Sequence, residues 1–183
     1  MKQRGQKHVV LGVTGSIAAY KSPDIVRRFS DVGWRVSVIM TEAATKFITP
    51  LTLASVCRQP VYRDMFDDQG KAWRIDHVSL AQDADAVLIA PATADIIAKI
   101  ACGLADDLLT CTVLATRAPV FIAPAMNEGM YGNAFVKDNI RKLKKAGIHL
   151  IGPDKGSMAC GSEGEGRLTA PDKIVNKIRR RLA

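Results

Sequence analysis

His8-Val9-Val10-Leu11-Gly12-Val13-Thr14-Gly15-Ser16-Ile17 is the stretch that decides how this 183-residue chain folds. A short aliphatic run gives way to a small, turn-forming Thr-Gly-Ser and then to a stretch of helical character, the signature of a strand feeding a helix. His8 to Val13 therefore reads as a first strand and Ile17 to Asp31 as the helix after it, with Gly33 as its stop.

The same alternation continues outward. Trp34 to Met40 is expected as a second strand, followed by short helical pieces at Ala43 to Ile48 and Leu51 to Arg58 on either side of Pro50. Residues 63–75 read as polar loop. Ala86 to Ala90 is the third strand, entered through Asp83 and Asp85 and closed by Pro91. Helices follow at Ala94 to Ala101 and Asp106 to Thr116, then a fourth strand at Val120 to Ala123. Ala134 to Ala146 is a helix stopped by Gly147, His149 to Ile151 a fifth strand, and Pro171 to Leu182 a terminal helix. Strands alternating with helices predict an α/β architecture built on a parallel sheet with crossover helices. With no repeat, linker or low-complexity tract, residues 1–183 are expected to form a single domain, with 1–7 and 183 disordered.

Bulk properties narrow the function. The chain is 48% hydrophobic but only 5% aromatic, so aliphatic residues must build its core. It has no apolar stretch long enough to span a bilayer and no apolar signal region behind Met1 to Gln6, which predicts a cytoplasmic protein without a membrane partner. Cys57, Cys102, Cys111 and Cys160 show no paired spacing, arguing against a metal site or a disulfide framework. The net charge of +8 sits at the chain ends and on Arg141 to Lys145, without interleaved aromatics, so no nucleic-acid partner is expected. A solvated face, or attraction for a phosphorylated small molecule, accounts for it better.

Four segments fall at the carboxyl ends of the expected strands, where open parallel sheets bind ligands: Thr14-Gly15-Ser16, Met40-Thr41, Pro91 to Asp95 and Pro124 to Asn127. The first lacks both the dinucleotide G-x-G-x-x-G and the P-loop lysine, so it suits a mononucleotide phosphate at a helix start; a serine helix cap beside a turn glycine is the other reading. Met158 to Arg167 places Cys160 at the head of a loop with Gly161, Gly164 and Gly166. Local sequence allows either a working thiol on a lid or a buried packing thiol.

Taken together, Thr14-Gly15-Ser16-Ile17-Ala18-Ala19-Tyr20-Lys21, Ala90-Pro91-Ala92-Thr93-Ala94-Asp95, Pro124-Ala125-Met126-Asn127-Glu128-Gly129-Met130-Tyr131 and the Ala159 to Leu168 segment resemble the homo-oligomeric flavin-containing cysteine decarboxylases, in the branch acting on 4′-phospho-N-pantothenoyl-cysteine. The resemblance runs from about His8 to Ile174. It implies a Rossmann-like (flavodoxin-like) open sheet with helices on both faces, and assembly as a trimer or as a dodecamer of trimers. It also implies FMN near subunit interfaces, with Gly15, Ser16 and Ile17 at its phosphate end and Thr41, Thr93, Ala94, Asp95, Ala125 and Met126 along the rest. Asn127, Met130 and Ala159 are implied to contact substrate, His77 to serve the oxidative half of the reaction and Cys160 to return a proton, with residues 154–168 as a substrate lid not ordered until substrate binds.

The implied reaction is redox-neutral decarboxylation to 4′-phosphopantetheine in coenzyme A biosynthesis. Oxidation at the carbon bearing sulfur gives a thioaldehyde, an electron sink into which the carboxylate can depart as carbon dioxide, leaving an enethiolate to be reduced and protonated. A neutral Asn127 suits the carboxylate, because a cation there would hold it too tightly. Without the resemblance, His77 reads as a helix-start histidine bonded to Asp76 or Ser79, and Asn127 as a helix cap; His8 and His149 read as structural, and Cys57, Cys102 and Cys111 as small packing residues. Tyr131 stands where many members carry tryptophan and Asp95 where many carry asparagine, without removing a catalytic group. No CTP- or ATP-binding segment is visible, so no ligase activity is expected and a phosphopantothenoylcysteine synthetase is a possible partner. A flavoprotein acting on another cysteine-containing substrate and a non-catalytic flavin-binding subunit are the alternatives; the joint presence of His77, Asn127 and Cys160 argues against the second.

Overall fold

The computed structural model describes residues 5–66, 76–157, 161 and 163–183. Its centre is β1 (His8–Val13), buried along its whole length. Around it lie β2 (Arg35–Met40), β3 (Val61–Tyr62), β4 (Ala86–Ala92), β5 (Val120–Pro124) and β6 (His149–Leu150), in the spatial order β3-β2-β1-β4-β5-β6. Every neighbouring pair is parallel. The chain builds outward from β1 to β3 and then crosses back to add β4 to β6 on the other side. β1 and β4 thus flank the switch point where an open sheet leaves a crevice.

Helices cover both faces, as expected. On one face α1 (Ser22–Asp31), α3 (Pro50–Cys57) and α9 (Pro171–Leu182) bury Ile25, Val26, Phe29, Leu53, Ile174, Val175 and Ile178 against Val9, Leu11 and Val13. On the other, α4 (Asp76–Asp83), α5 (Ala94–Ala101), α6 (Leu108–Ala115) and α8 (Ala134–Lys145) bury Leu80, Ile96, Ile97, Leu109 and Leu143 against Val10 and Ile89. Successive strand residues point to opposite faces, so a strand covered on both sides is apolar throughout. Gly12 is part of this packing: a Cβ there would lie 2.5 Å from Cδ1 of Leu109, so α6 rests closer to β1 than a larger residue would permit.

Several elements differ from the sequence reading. β3 makes six strands rather than five. β4 runs through Pro91 to Ala92 with a register shift after Ile89, because Pro91 has no N–H to donate to the ladder. The Ile17 to Asp31 helix begins as a 3-10 turn, Ile17–Lys21, before α1. The helical piece expected at Ala43 to Ile48 is the shorter α2 (Glu42–Thr45), and two elements are additional: α4 and α7 (Glu128–Gly132), which place His77 in a first helical turn and Asn127 at an N-cap. The glycine-rich segment read as a loop is, over its described residues, an antiparallel ribbon of β7 (Asp154–Ser157) and β8 (Glu163–Arg167), with Gly156 opposite Gly164. Cys57 and Cys111 are half-buried, but Cys102 is exposed at the end of α5, so the packing reading fails for it.

His8 is structural: it is buried, with Nε2 2.9 Å from Ser37 Oγ and Nδ1 3.0 Å from both the Asp83 carbonyl and Arg35. Burial, reinforced by the Arg35 charge, lowers its pKa from 6.5 to about 4. The His149 ring packs 5.0 Å from that of Phe121. Among the described residues no helix is long and apolar enough to cross a membrane, and no group of His, Cys, Asp and Glu side chains is placed to hold a metal ion.

Candidate active site

The turns after β1 and β4 are tied together by side chains. Thr14, buried behind the turn, donates from Oγ1 to the Pro91 carbonyl at 2.7 Å and accepts from the Thr93 N–H at 3.2 Å. Helix caps order the rest of this edge. Ser16 accepts from the Ala18 N–H, Thr41 from Ala44, Thr93 from Ile96 and Asn127 from Gly129. The cap readings of Ser16 and Asn127 are thus both realised, and each cap fixes where a side chain stands. Gly15 is a point of close approach: a Cβ would lie 2.5 Å from that of Ala43, so the turn after β1 touches α2 directly.

Two clefts open here. The first, about 900 Å³, is walled by Thr14, Gly15, Met40, Thr41, Thr93, Ala94, Asp95, Ile96, Leu109 and Met130. The second, about 600 Å³, is walled by Ser16, Ile17, Ala125, Met126 and Asn127, with Ser157, Gly166 and Arg167 from the ribbon. Both volumes are those of small-molecule sites. Of the residues singled out in the sequence, Gly15, Thr41, Thr93, Ala94, Asp95 and Met130 share the first cleft, and Ser16, Ile17, Ala125, Met126 and Asn127 share the second. The turn at residues 15–16 divides the two.

His77 joins neither. It is half-buried in the first turn of α4, whose far end carries the Asp83 carbonyl beside His8, at the amino edge of the sheet. At 1.5 Å per residue, the helix carries His77 roughly 10 Å from there toward the ligand edge. Ala159 and Cys160 lie outside the described residues.

Sequence reading passed over several lining residues. Lys99 forms an ion pair with Asp106 at 2.9 Å and lies 3.6 Å from Asp107, the N-cap of α6; the hydrogen bond from Lys99 holds the Asp106 carboxyl below its ordinary pKa. This pins the 102–107 connection to α5 as a wall of the first cleft. Lys21 and Arg167 are cations of the second cleft, and both sit inside the segments that carried the resemblance. Tyr131, the departure from tryptophan, is buried with the Lys137 ammonium 3.8 Å over its ring.

Comparison with known proteins bears on this arrangement. The family described as Flavoprotein matches residues 1–183. The Coenzyme A biosynthesis bifunctional protein CoaBC of Haemophilus influenzae is 45% identical over 178 residues, which are 97% of this chain and 44% of that protein. Its counterpart from Escherichia coli is 49% identical over 170 residues, 93% of this chain and 42% of that protein. The chain thus spans less than half the length of these curated relatives. A cysteine-to-serine mutant of PPC decarboxylase complexed with pantothenoylaminoethenethiol superposes with a TM-score of 0.85 at 33% identity, covering 96% of this chain and 98% of that one. The FMN binding protein AtHal3 gives 0.83 at 33% identity, with 96% of each chain covered. A match along the whole chain, relatives nearly half identical and a shared topology agree with the resemblance carried by the glycine and Pro-Ala-Met-Asn segments: this chain belongs to the Flavoprotein family.

Proposed function

We propose that this chain catalyses the FMN-dependent decarboxylation of 4′-phospho-N-pantothenoyl-L-cysteine to 4′-phosphopantetheine and carbon dioxide, a step of coenzyme A biosynthesis. The observation that carries this reading is the second cleft, where Asn127 from the Pro-Ala-Met-Asn turn and β8 of the ribbon form one wall, beside the switch-point cleft.

The residues present fit FMN. The first cleft offers aliphatic walls (Met40, Ile96, Leu109) for a flat ring system and hydroxyl or carboxyl groups (Thr41, Thr93, Asp95) for its polar edge. Gly15, Ser16 and Ile17 at the adjoining turn would hold the phosphate end. Bound there, FMN supplies a reversible two-electron oxidation of the carbon bearing sulfur, which makes the carboxylate a good leaving group.

The chain's own groups do the rest. The Asn127 oxygen accepts from the Gly129 N–H, and its NH2 is the group proposed to meet the carboxylate, as a donor without a full charge. Met126 and Met130 supply apolar contacts. Lys21 and Arg167 suit an anionic substrate end, which favours a phosphorylated substrate over a peptide. The lid covers the intermediate and excludes water, and Cys160 delivers the proton that completes the saturated thiol. His77 serves the oxidative half as base or thiolate stabiliser. Its place outside both clefts of a single chain is consistent with a site completed by a second copy, in a trimer or a dodecamer of trimers. Exposed Ile17, Met130 and Phe135 are consistent with such contacts. The proposed location is the cytoplasm. The synthetase that supplies the substrate is the proposed functional partner, fused as in the bifunctional relatives or separate.

An absorbance spectrum tests the cofactor. Purified protein is expected to be yellow and to release FMN on denaturation. A colourless protein that FMN cannot reconstitute contradicts the reading.

A further inference from the structure

We propose that a basic cleft along the outer edge strand β6, remote in the sheet from the β1–β4 crevice, binds a small oligophosphate, an anion carrying two or more phosphate groups. The cleft is about 660 Å³, within the range of small-molecule sites, and shares no lining residue with the two clefts above. Its floor is β6 with Phe121, and its walls are the last turns of α8 and α9, which lie on opposite faces of the sheet. Lys144 comes from one wall and Lys177, Arg180 and Arg181 from the other, so two basic runs far apart in sequence converge on one concavity.

Among the described residues no carboxylate lines it. The acids of the two helices are engaged elsewhere, Asp138 with Arg141 and Asp172 with Arg28. Cations at helix ends ordinarily offset the negative pole of their own helix. Here they also face each other across a cleft, where low-dielectric walls concentrate their field. Lys177 is held in place by donating to the Leu150 carbonyl at 2.9 Å, and the half-buried His149 ring completes the lining. Four cations around one concavity match several phosphate charges better than one carboxylate. The proposal does not depend on the decarboxylase reading.

Calorimetric titration of the FMN-loaded chain with inorganic tripolyphosphate, at about 0.15 M salt, tests it. The expected result is saturable one-to-one binding, weakened roughly tenfold or more by the double substitution Arg180→Gln with Arg181→Gln and also weakened by Lys144→Gln. All three residues are exposed, so folding and flavin content are expected to be unchanged. Absence of saturable binding, or affinity untouched by both variants, overturns the proposal. So does tighter binding of a glutamate-rich peptide through the same residues, which would make the cleft a protein-docking surface.

Discussion

The backbone N–H of Met126 donates to the carbonyl of Gly166 at 3.0 Å, which ties the residue before Asn127 to β8 of the ribbon. Gly164, two residues earlier on β8, lies directly against the Glu128 carboxylate at the start of α7. The segment that presents Asn127 and β8 of the ribbon are therefore one packed unit, and a movement of either is felt by the other.

The proposed function gives Asn127 two separable jobs. Its oxygen caps α7 by accepting from Gly129 at 2.8 Å, and its NH2 is assigned to the substrate carboxylate. Asn127→Asp keeps an acceptor for the cap, so stability should change by less than about 0.5 kcal/mol. Substrate affinity should fall roughly tenfold or more through like-charge repulsion. Asn127→Ala should lose both, costing about 1 kcal/mol of stability. Denaturant titration with substrate binding to each variant separates the roles. Unchanged affinity in Asn127→Asp would remove Asn127 from carboxylate recognition.

Cys160→Ser should divide the reaction in two. Carbon dioxide is still released, but an oxidised enethiol accumulates and the flavin absorbance stays bleached, because the proton needed for the reductive half is missing. A normal yield of phosphopantetheine from this variant would take Cys160 out of the mechanism.

Gly15→Ala should damage the edge of the first cleft, where FMN is proposed to bind. The added methyl would sit 2.5 Å from the Ala43 Cβ and 3.2 Å from its backbone carbon, so α2 must move rather than a side chain. The expected cost is about 1–3 kcal/mol, together with loss of bound flavin. Retention of full flavin content with native stability would show that this contact does not shape the site.

His8 should make folding stability fall on acidification. Its pKa is near 4 in the fold against 6.5 ordinarily. Between those values the unfolded chain takes up the proton and the folded chain does not. The contribution is therefore complete above about pH 6.5 and is lost as pH falls toward 4, up to about 3 kcal/mol in all. His8→Gln should flatten that limb in urea titrations at stepped pH. An unaltered pH profile would mean that other groups govern it.

The sheet was largely legible in the sequence because strands buried on both faces leave uninterrupted aliphatic runs, as in Val9 to Val13 and Val87 to Ala90. β3 was not, since two residues carry no periodicity. The ribbon was hidden for a different reason. β8 alternates inward and outward, but its inward residues are Gly164 and Gly166 and its outward ones Glu163, Glu165 and Arg167, so a scan for apolar alternation finds nothing. At the site, the motif residues do assemble at one edge of the sheet. Their division between two clefts at the Gly15–Ser16 turn, and the Lys99–Asp106 pair that walls one of them, depend on tertiary packing that local sequence does not encode. His77, which only the resemblance singled out, lies outside both clefts, and no local pattern around it marks where α4 would place it.

The most direct test of the central claim is the mass of the product formed from 4′-phospho-N-pantothenoyl-L-cysteine by the flavin-loaded protein, without oxygen and without added reductant. Redox-neutral decarboxylation predicts a product lighter than the substrate by carbon dioxide alone, formed over many turnovers with the flavin oxidised at the end. Recovery of unchanged substrate, or of a product that has lost carbon dioxide and two hydrogens in an amount limited by the flavin, would contradict it.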